Sequence, residues 1–230
     1  GIPVGNTPGV LDGATADMAF ALLLASARRG GEGDRYARSP EFTVYDPGYM
    51  LGREVHHATI GIVGMGRIGL EIAKRAAGFD MRILYHNRRE RADLPPWLKA
   101  EYVSFEDLLR QADYVVLSVP LTSETRGLID AGAFAKMKRT ATLVNVSRGP
   151  VVLTDDLVAA LESKQIAAAA LDVTDPEPLP RDHPLLTMDN VVLTPHLGSA
   201  TVQTREQMAE MSVANLLAGL NDQPLPWRIA

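Results

Sequence analysis

Hydrophobic positions along the chain switch between a helical period and short, continuous apolar runs that are typical of buried strands. The periodic segments predict helices over residues 12–29, 70–77, 104–111, 130–137, 154–163 and 201–218. The apolar runs predict strands over residues 60–63, 81–85, 114–119, 142–146, 166–173 and 191–194. Strands that alternate with helices at this spacing predict an α/β fold, a doubly wound parallel sheet with helices on both faces.

Side chains at the predicted helix starts offer candidate caps, because a hydroxyl or carboxylate there can accept an unpaired backbone N–H. Asp12 or Thr15 would cap the first helix, Ser104 the third and Thr154 the fifth. The strand predicted over 166–173 contains four consecutive alanines. Alanine favours a helix on propensity alone, so this strand is predicted from its place in the alternation.

Composition narrows the class of protein. The chain has 230 residues, of which 46% are hydrophobic and 22% charged, as in ordinary globular domains. The net charge of −5 argues against nucleic-acid binding, and the absence of cysteine excludes disulfides and thiolate metal sites. Because no apolar run reaches about 18 residues, we expect no membrane partner. The absence of cysteine is compatible with a cytoplasmic location, which we expect. We expect no metal site.

A glycine-rich turn joins the first predicted strand to the helix that follows it. Gly64, Gly66 and Gly69 form the pattern G-x-G-x-x-G, which is a dinucleotide-binding signature when it lies between a strand and a helix. The first glycine permits a tight turn, the second lets a pyrophosphate approach the backbone, and the third lets helix and strand pack closely. The N–H groups of Arg67 and Ile68 at the helix start would face the phosphates. The alternative is a glycine-rich turn without a ligand.

The stretch that ends the second strand lacks the carboxylate that usually holds the ribose hydroxyls of NAD. Asn87, Arg88 and Arg89 stand there instead. Asparagine does not repel a phosphate, and a guanidinium pairs with one bidentately. We therefore expect NADP(H) to be preferred, with NAD(H) possible, and Arg88 to make the main contact. The alternative is that Arg88, Arg89 and Arg91 form a solvated basic loop.

Three further stretches begin where predicted strands end, at the sheet edge that binds ligands in open parallel sheets. They contribute Arg148, Glu177 and His196. This set suits reduction of a 2-keto acid: the arginine would bind the carboxylate, and the histidine, paired with the glutamate, would donate a proton to the forming alkoxide. Taken singly, such residues are often a surface ion pair, a structural histidine and a solvated glutamate.

The chain resembles the D-isomer-specific 2-hydroxyacid dehydrogenases, most closely their glyoxylate/hydroxypyruvate reductase branch. The resemblance extends over essentially the whole chain, and its later motifs are highly specific. It rests on the stretches ATADMAFALLLASARR, TIGIVGMGRIGLEIAKR, LVNVSRGPVV, AALDVTDPEPLPRDHPLL and VVLTPHLGSAT. It implies a Rossmann-type NAD(P)-binding domain, and it implies catalytic roles for Arg148, Glu177 and His196, the same three residues that the chemistry selects.

The resemblance also implies contacts with the cofactor and with a second subunit. Asp172 would hold the nicotinamide carboxamide, with Val146 and Gly198 near the nicotinamide ring, and Pro120 would lie on the adenosine side. Residues 30–58 would form an arm that embraces a second copy of the chain. A homodimer is therefore expected.

The family's pattern includes a substrate domain, most of which would precede this sequence. We accordingly expect an interdomain linker at 1–9, a dinucleotide-binding domain at 10–200, and at 201–230 a helix and tail that belong to an otherwise missing substrate domain. Gly1 is not a start residue, which favours a fragment over a natural short form. The chain alone is expected to bind NADPH but to turn over substrate poorly.

The expected function is NADPH-dependent reduction of glyoxylate to glycolate and of hydroxypyruvate to D-glycerate. Another small 2-keto acid remains an alternative substrate, as in a 2-ketogluconate reductase or another D-2-hydroxyacid dehydrogenase. An alternative of another class is a non-catalytic module that senses nucleotides or mediates dimerisation through its Rossmann fold.

Overall fold

The computed structural model describes residues 2–229, so Gly1 of the predicted linker and Ala230 of the predicted tail lie outside the described residues. Seven parallel strands form one sheet in the order β3-β2-β1-β4-β5-β6-β7. The strands are β1 Thr59–Val63, β2 Arg82–His86, β3 Ala100–Tyr102, β4 Tyr114–Leu117, β5 Thr142–Asn145, β6 Ala168–Leu171 and β7 Val191–Leu193. The order reverses between β1 and β4, which confirms the doubly wound fold.

Helices connect most of the strands and cover both faces of the sheet. They are α1 Asp12–Ala27, α2 Gly30–Ala37, α3 Arg67–Gly78, α4 Phe105–Gln111, α5 Ala131–Lys136, α6 Thr154–Glu162 and α7 Val202–Leu220. The side chains of β4 show how the two cores arise, because successive strand residues point to opposite faces. Tyr114 and Val116 pack with α1 and α3, whereas Val115 and Leu117 pack with α4, α5 and α6.

Two of the predicted caps are wrong, and one is confirmed. The N-cap position of α1 is Leu11, so Asp12 and Thr15 both lie inside the helix. Asp12 is in the first turn, where a negative charge is favoured by the helix dipole. Thr154 also lies inside its helix, and its hydroxyl donates to the backbone carbonyl of Asp175. Ser104 does cap α4, because its Oγ accepts the Asp107 N–H at 3.1 Å.

Strand β3 and helix α2 were not predicted, and several predicted elements are shorter than expected, most clearly β4, predicted to 119, and β6, predicted over 166–173. Strand β3 has three residues at the sheet edge, so it has no buried apolar run to reveal it. Helix α2 buries no residue, so the polar segment 30–58 gave no apolar stripe for it. Strand β6 ends at Leu171, and the buried side chain of the next residue, Asp172, accepts hydrogen bonds from the segment after β7.

The two ends of the described chain lie together beside α7. Gly5 forms an antiparallel bridge with Arg228. The Asn215 side chain, buried on α7, donates to Asn6 O and accepts the Trp227 N–H at 3.0 Å. These contacts join the predicted linker to the predicted C-terminal tail, whose assignment to a substrate domain stays a prediction.

A glycine inside β1 sets the distance between the sheet and α4. A Cβ at Gly61 would lie 2.5 Å from Leu108 Cδ2 and 2.9 Å from Ala112 Cβ. Both distances are shorter than van der Waals contact, so the helix can approach the strand only where a side chain is absent.

We predict that Gly61→Ala lowers the free energy of unfolding by about 1–3 kcal/mol, because the added methyl overpacks the core. Urea unfolding, followed by circular dichroism, measures this. Gly33→Ala is the matched control, since a Cβ there meets nothing within 4 Å, and it should leave the midpoint unchanged or slightly raised. Equal midpoints for the two variants would contradict the prediction.

Candidate active site

The glycine turn between β1 and α3 has the shape that its sequence predicts. Gly64 has a φ of +100°, and a Cβ there would lie 2.7 Å from Ser118 O. A Cβ at Gly69 would overlap the carbonyl oxygen of Gly64, so helix and turn touch. A Cβ at Gly66, by contrast, would meet nothing within 4 Å. The first and third glycines are thus required by packing, while the second faces open space.

Two side chains hold this turn in place, one from the segment after β4 and one from the segment after β2. Ser118 Oγ donates to Gly64 O at 2.6 Å. Asn87 Oδ1 accepts the Met65 N–H at 2.7 Å. These bonds fix the backbone carbonyl and amide groups on both sides of the turn, which indicates a preorganised loop.

Arg91 also holds this turn, through contacts that the sequence did not reveal. Its Nη1 donates to the carbonyls of Met65 and Gly66, each at 3.1 Å. Its guanidinium also pairs with Asp93, with Nε to Oδ1 at 2.7 Å, and the hydrogen bond from Arg91 lowers the pKa of Asp93. The guanidinium of Arg91 is therefore bound to other groups of the protein.

A cavity of about 890 Å³ lies beyond the turn, between the ends of β2 and β4. Asn87, Arg88 and Arg89 line one side, and Pro120 and Glu124 line the other. Arg88 and Arg89 are exposed. A hydrogen bond from Thr122 lowers the pKa of Glu124, and the charge of Arg88 lowers it further, so an ionised carboxylate faces the same cavity as the two arginines.

These residues fit a dinucleotide. Gly66 leaves room for a phosphate against the backbone, and α3 begins at Arg67 and Ile68, so its first N–H groups have no partner within the helix. The order of the strands places this helix start at the switch point of the sheet, where such cofactors bind. Individual contacts between the cofactor and these residues stay predictions.

Arg148 lies on the turn that follows β5 and is exposed between two buried neighbours, Ser147 and Gly149. Its Nη1 donates to Ser147 O at 2.7 Å. Val146, predicted to lie near the nicotinamide, is 7% exposed and packs in the core next to this turn.

His196 and Glu177 are brought together, as the sequence predicted from their chemistry. His196 Nδ1 lies 2.7 Å from Glu177 Oε1, and both side chains are about half exposed, at 47% and 41%. A carboxylate only accepts hydrogen bonds, so Nδ1 carries the proton in this contact. The other ring nitrogen, Nε2, is then the one that can gain or release a proton.

Asp172 fixes the turn that carries His196. Its Oδ1 accepts from Thr194 Oγ1 at 2.6 Å and from Leu197 N–H at 2.7 Å, and its Oδ2 accepts from Gly198 N–H at 2.7 Å. The side chain is 3% exposed. His196 itself has a φ of +59°, a backbone conformation that costs energy in a residue other than glycine. The predicted contact of Asp172 with a nicotinamide carboxamide stays untested.

Among residues 2–229, no group of three or more His, Cys, Asp or Glu side chains is arranged to hold a metal ion. Within the same range, no helix combines the length and apolarity needed to cross a membrane.

Comparison with known proteins identifies the family. Residues 20–198 match the model of the D-isomer specific 2-hydroxyacid dehydrogenase NAD binding domain. The chain belongs to the D-isomer-specific 2-hydroxyacid dehydrogenases. A glyoxylate reductase from Korarchaeum cryptofilum is 53% identical over 219 residues, which make up 95% of this chain and 66% of that protein.

More distant members of the family agree. The human glyoxylate reductase/hydroxypyruvate reductase is 46% identical over 227 residues, covering 98% of this chain and 69% of that protein. The TT0316 protein of Thermus thermophilus has a crystal structure that superposes with a TM-score of 0.95 at 48% identity, over 100% of this chain and 72% of that one. The chain thus spans about two thirds of the length of the curated relatives it matches.

We predict that Asp172→Asn destabilises the turn at 194–198. The amide retains one acceptor oxygen and places a donor where Asp172 now accepts, which costs about 1–3 kcal/mol. Hydrogen exchange at the amides of Leu197 and Gly198 should accelerate accordingly. Asp182→Asn, at an exposed position, serves as control and should leave both amides unchanged; equal protection in the two variants would refute the assignment.

Proposed function

We propose that this protein reduces glyoxylate to glycolate and hydroxypyruvate to D-glycerate with NADPH. The observation that carries the proposal is the contact of 2.7 Å between His196 Nδ1 and Glu177 Oε1. It lies at the sheet edge where Arg148 and the glycine turn are also found. Membership of a dehydrogenase family and similarity to proteins named glyoxylate reductase support it.

The residues of the chain divide the reaction between them. Arg148 binds the carboxylate of the keto acid and polarises its ketone. NADPH, when bound, supplies the hydride that adds to the carbonyl carbon. His196 releases the proton on Nε2 to the carbonyl oxygen, and Glu177 stabilises the imidazolium beforehand and orients the ring through Nδ1. In the oxidation direction, neutral His196 accepts the hydroxyl proton at the same nitrogen.

The preference for NADPH rests on charge in the cavity between β2 and β4. Arg88 and Arg89 line it, and a 2′-phosphate would gain a charge-assisted pair with either guanidinium. Glu124 opposes this preference, because its carboxylate faces the same cavity and already interacts with Arg88. NADPH is therefore preferred without NADH being excluded.

The proposal includes a second subunit and a further domain. Segment 30–58 exposes several large apolar side chains that would be covered by another copy of the chain: Phe42, Val44, Tyr45, Tyr49 and Leu51. About one third of the length of these relatives lies outside the matched part. We propose that the missing part completes the substrate pocket, so the 230 residues alone bind NADPH but turn over poorly.

Two rivals have distinct consequences. A different small 2-keto acid would be turned over faster than glyoxylate in a screen of keto acids with NADPH and NADH. A nucleotide-sensing or dimerisation module would bind NADPH without oxidising it, and the paired His196 and Glu177 would then have no proton to move.

We predict that Arg88→Ala weakens NADPH binding about 10- to 100-fold, since a charge-assisted hydrogen bond contributes about 1.5–3 kcal/mol. NADH binding should change less than threefold. Fluorescence titration of both cofactors measures the ratio, with Arg89→Ala compared in parallel. Arg110→Ala is the control, an exposed arginine on α4 paired with Glu106. An unchanged NADPH/NADH ratio in both Arg88 and Arg89 variants would remove the proposed preference.

We predict that His196→Ala, measured in the complete protein, lowers kcat/KM for glyoxylate at least about 100-fold, because it removes the general acid. NADPH affinity should stay within about twofold. His56→Ala is a matched control, since His56 Nδ1 also approaches a glutamate, Glu54, at 3.8 Å. Wild-type turnover in the His196 variant would exclude the mechanism.

A further inference from the structure

The last residue of β5, Asn145, is a polar side chain in the interior, 1% exposed. Its Oδ1 accepts the backbone N–H of Ser147 at 3.0 Å and the hydroxyl of Ser147 at 2.7 Å. Its Nδ2 donates to the carbonyl of Arg148 at 3.1 Å. Asn145 therefore binds donor and acceptor groups of Ser147 and Arg148, in the turn that follows its own strand.

The same turn also packs closely against the backbone at Thr174. Gly149 follows Arg148, and a Cβ there would overlap the carbonyl oxygen of Thr174. Thr174 begins the loop that carries Glu177. The turn with Arg148 is thus hydrogen-bonded to the Asn145 side chain and is also in close contact with the backbone of the Glu177 loop.

The hydrogen bonds of Asn145 influence the Arg148 guanidinium through the backbone of the turn. Arg148 Nη1 donates to Ser147 O at 2.7 Å. That carbonyl belongs to the Ser147–Arg148 peptide, which lies between the two peptides that Asn145 holds through the Ser147 N–H and the Arg148 carbonyl. Because a planar guanidinium binds a carboxylate only in a fixed orientation, a small rotation of the turn would misalign it.

We propose that Asn145 is the positioning residue for Arg148: its buried amide locks the turn that aims the guanidinium at the substrate carboxylate. The inference rests on the proposed function. All three hydrogen bonds remain within residues 145–148 and link no separate elements. Their loss should therefore loosen this turn while the sheet stays folded.

A double-mutant cycle tests the link between the two residues. In the complete protein, Asn145→Ala should lower kcat/KM for glyoxylate at least about tenfold, mainly through KM, which reports the carboxylate contact. In an Arg148→Ala background, the same substitution should change kcat/KM less than about twofold, because the group it positions is gone. Equal losses in both backgrounds would overturn the proposal.

Matched variants separate positioning from general destabilisation. Asn190→Ala removes another asparagine whose Nδ2 donates to a backbone carbonyl, that of Ala167, at the opposite edge of the sheet. It should leave kcat/KM and NADPH affinity unchanged. Asn145→Ala should likewise leave NADPH affinity within twofold, and a loss of cofactor binding or of the folded state in proportion to activity would reject a positioning role.

A readout without turnover keeps this inference separate from the proposed function. Hydrogen exchange at the Ser147 amide should accelerate more than about tenfold in Asn145→Ala and not in Asn190→Ala. Unchanged exchange refutes the lock, whatever the activity. If the exchange changes as expected but the wild-type protein reduces no keto acid, the proposed function fails and the role assigned to Arg148 fails with it.

Discussion

The parallel direction of all seven strands is the constraint on which the site depends. Parallel pairing brings every carboxyl end to one edge of the sheet, so residues far apart in sequence become neighbours there. The glycine turn follows β1, the cavity with Arg88 follows β2, Arg148 follows β5, and the loops after β6 and β7 supply Glu177 and His196. No single segment contains the site, and the hydrophobic alternation that builds the two cores also assembles it.

Buried polar side chains fix the conformation of the turns that the strands bring to this edge. Asn145 and Asp172 occupy equivalent places, one at the end of β5 and one just after β6, and both are almost fully buried. Each is hydrogen-bonded to groups of the turn that it supports, and among residues 2–229 no buried side-chain nitrogen or oxygen lacks a partner. Satisfied networks of this kind specify one conformation, whereas a half-satisfied network would be costly.

Features that depend on local steric limits, or on the repeated alternation of strands and helices, could be predicted from the sequence. The roles of Gly64 and Gly69 follow from the space available, and the doubly wound parallel sheet follows from repeated strand–helix units. The caps at Asp12 and Thr154 failed, because several polar residues near a helix start compete and tertiary bonds such as Thr154 to Asp175 decide between them. Arg91 and Asn145 were missed, since their partners are backbone atoms that only the folded chain brings within reach.

The turn at His196 shows how the proposed proton donor depends on the buried Asp172. A half-exposed pair such as His196 and Glu177 stabilises a fold little, and the left-handed backbone at His196 costs about 1 kcal/mol or more. The turn persists because Asp172 accepts two N–H groups and a hydroxyl in a buried place, each bond strengthened by the carboxylate charge. Stability in this part of the chain thus comes from the buried Asp172, while the imidazole of His196 stays accessible, which is the arrangement that the proposed proton transfer to a substrate requires.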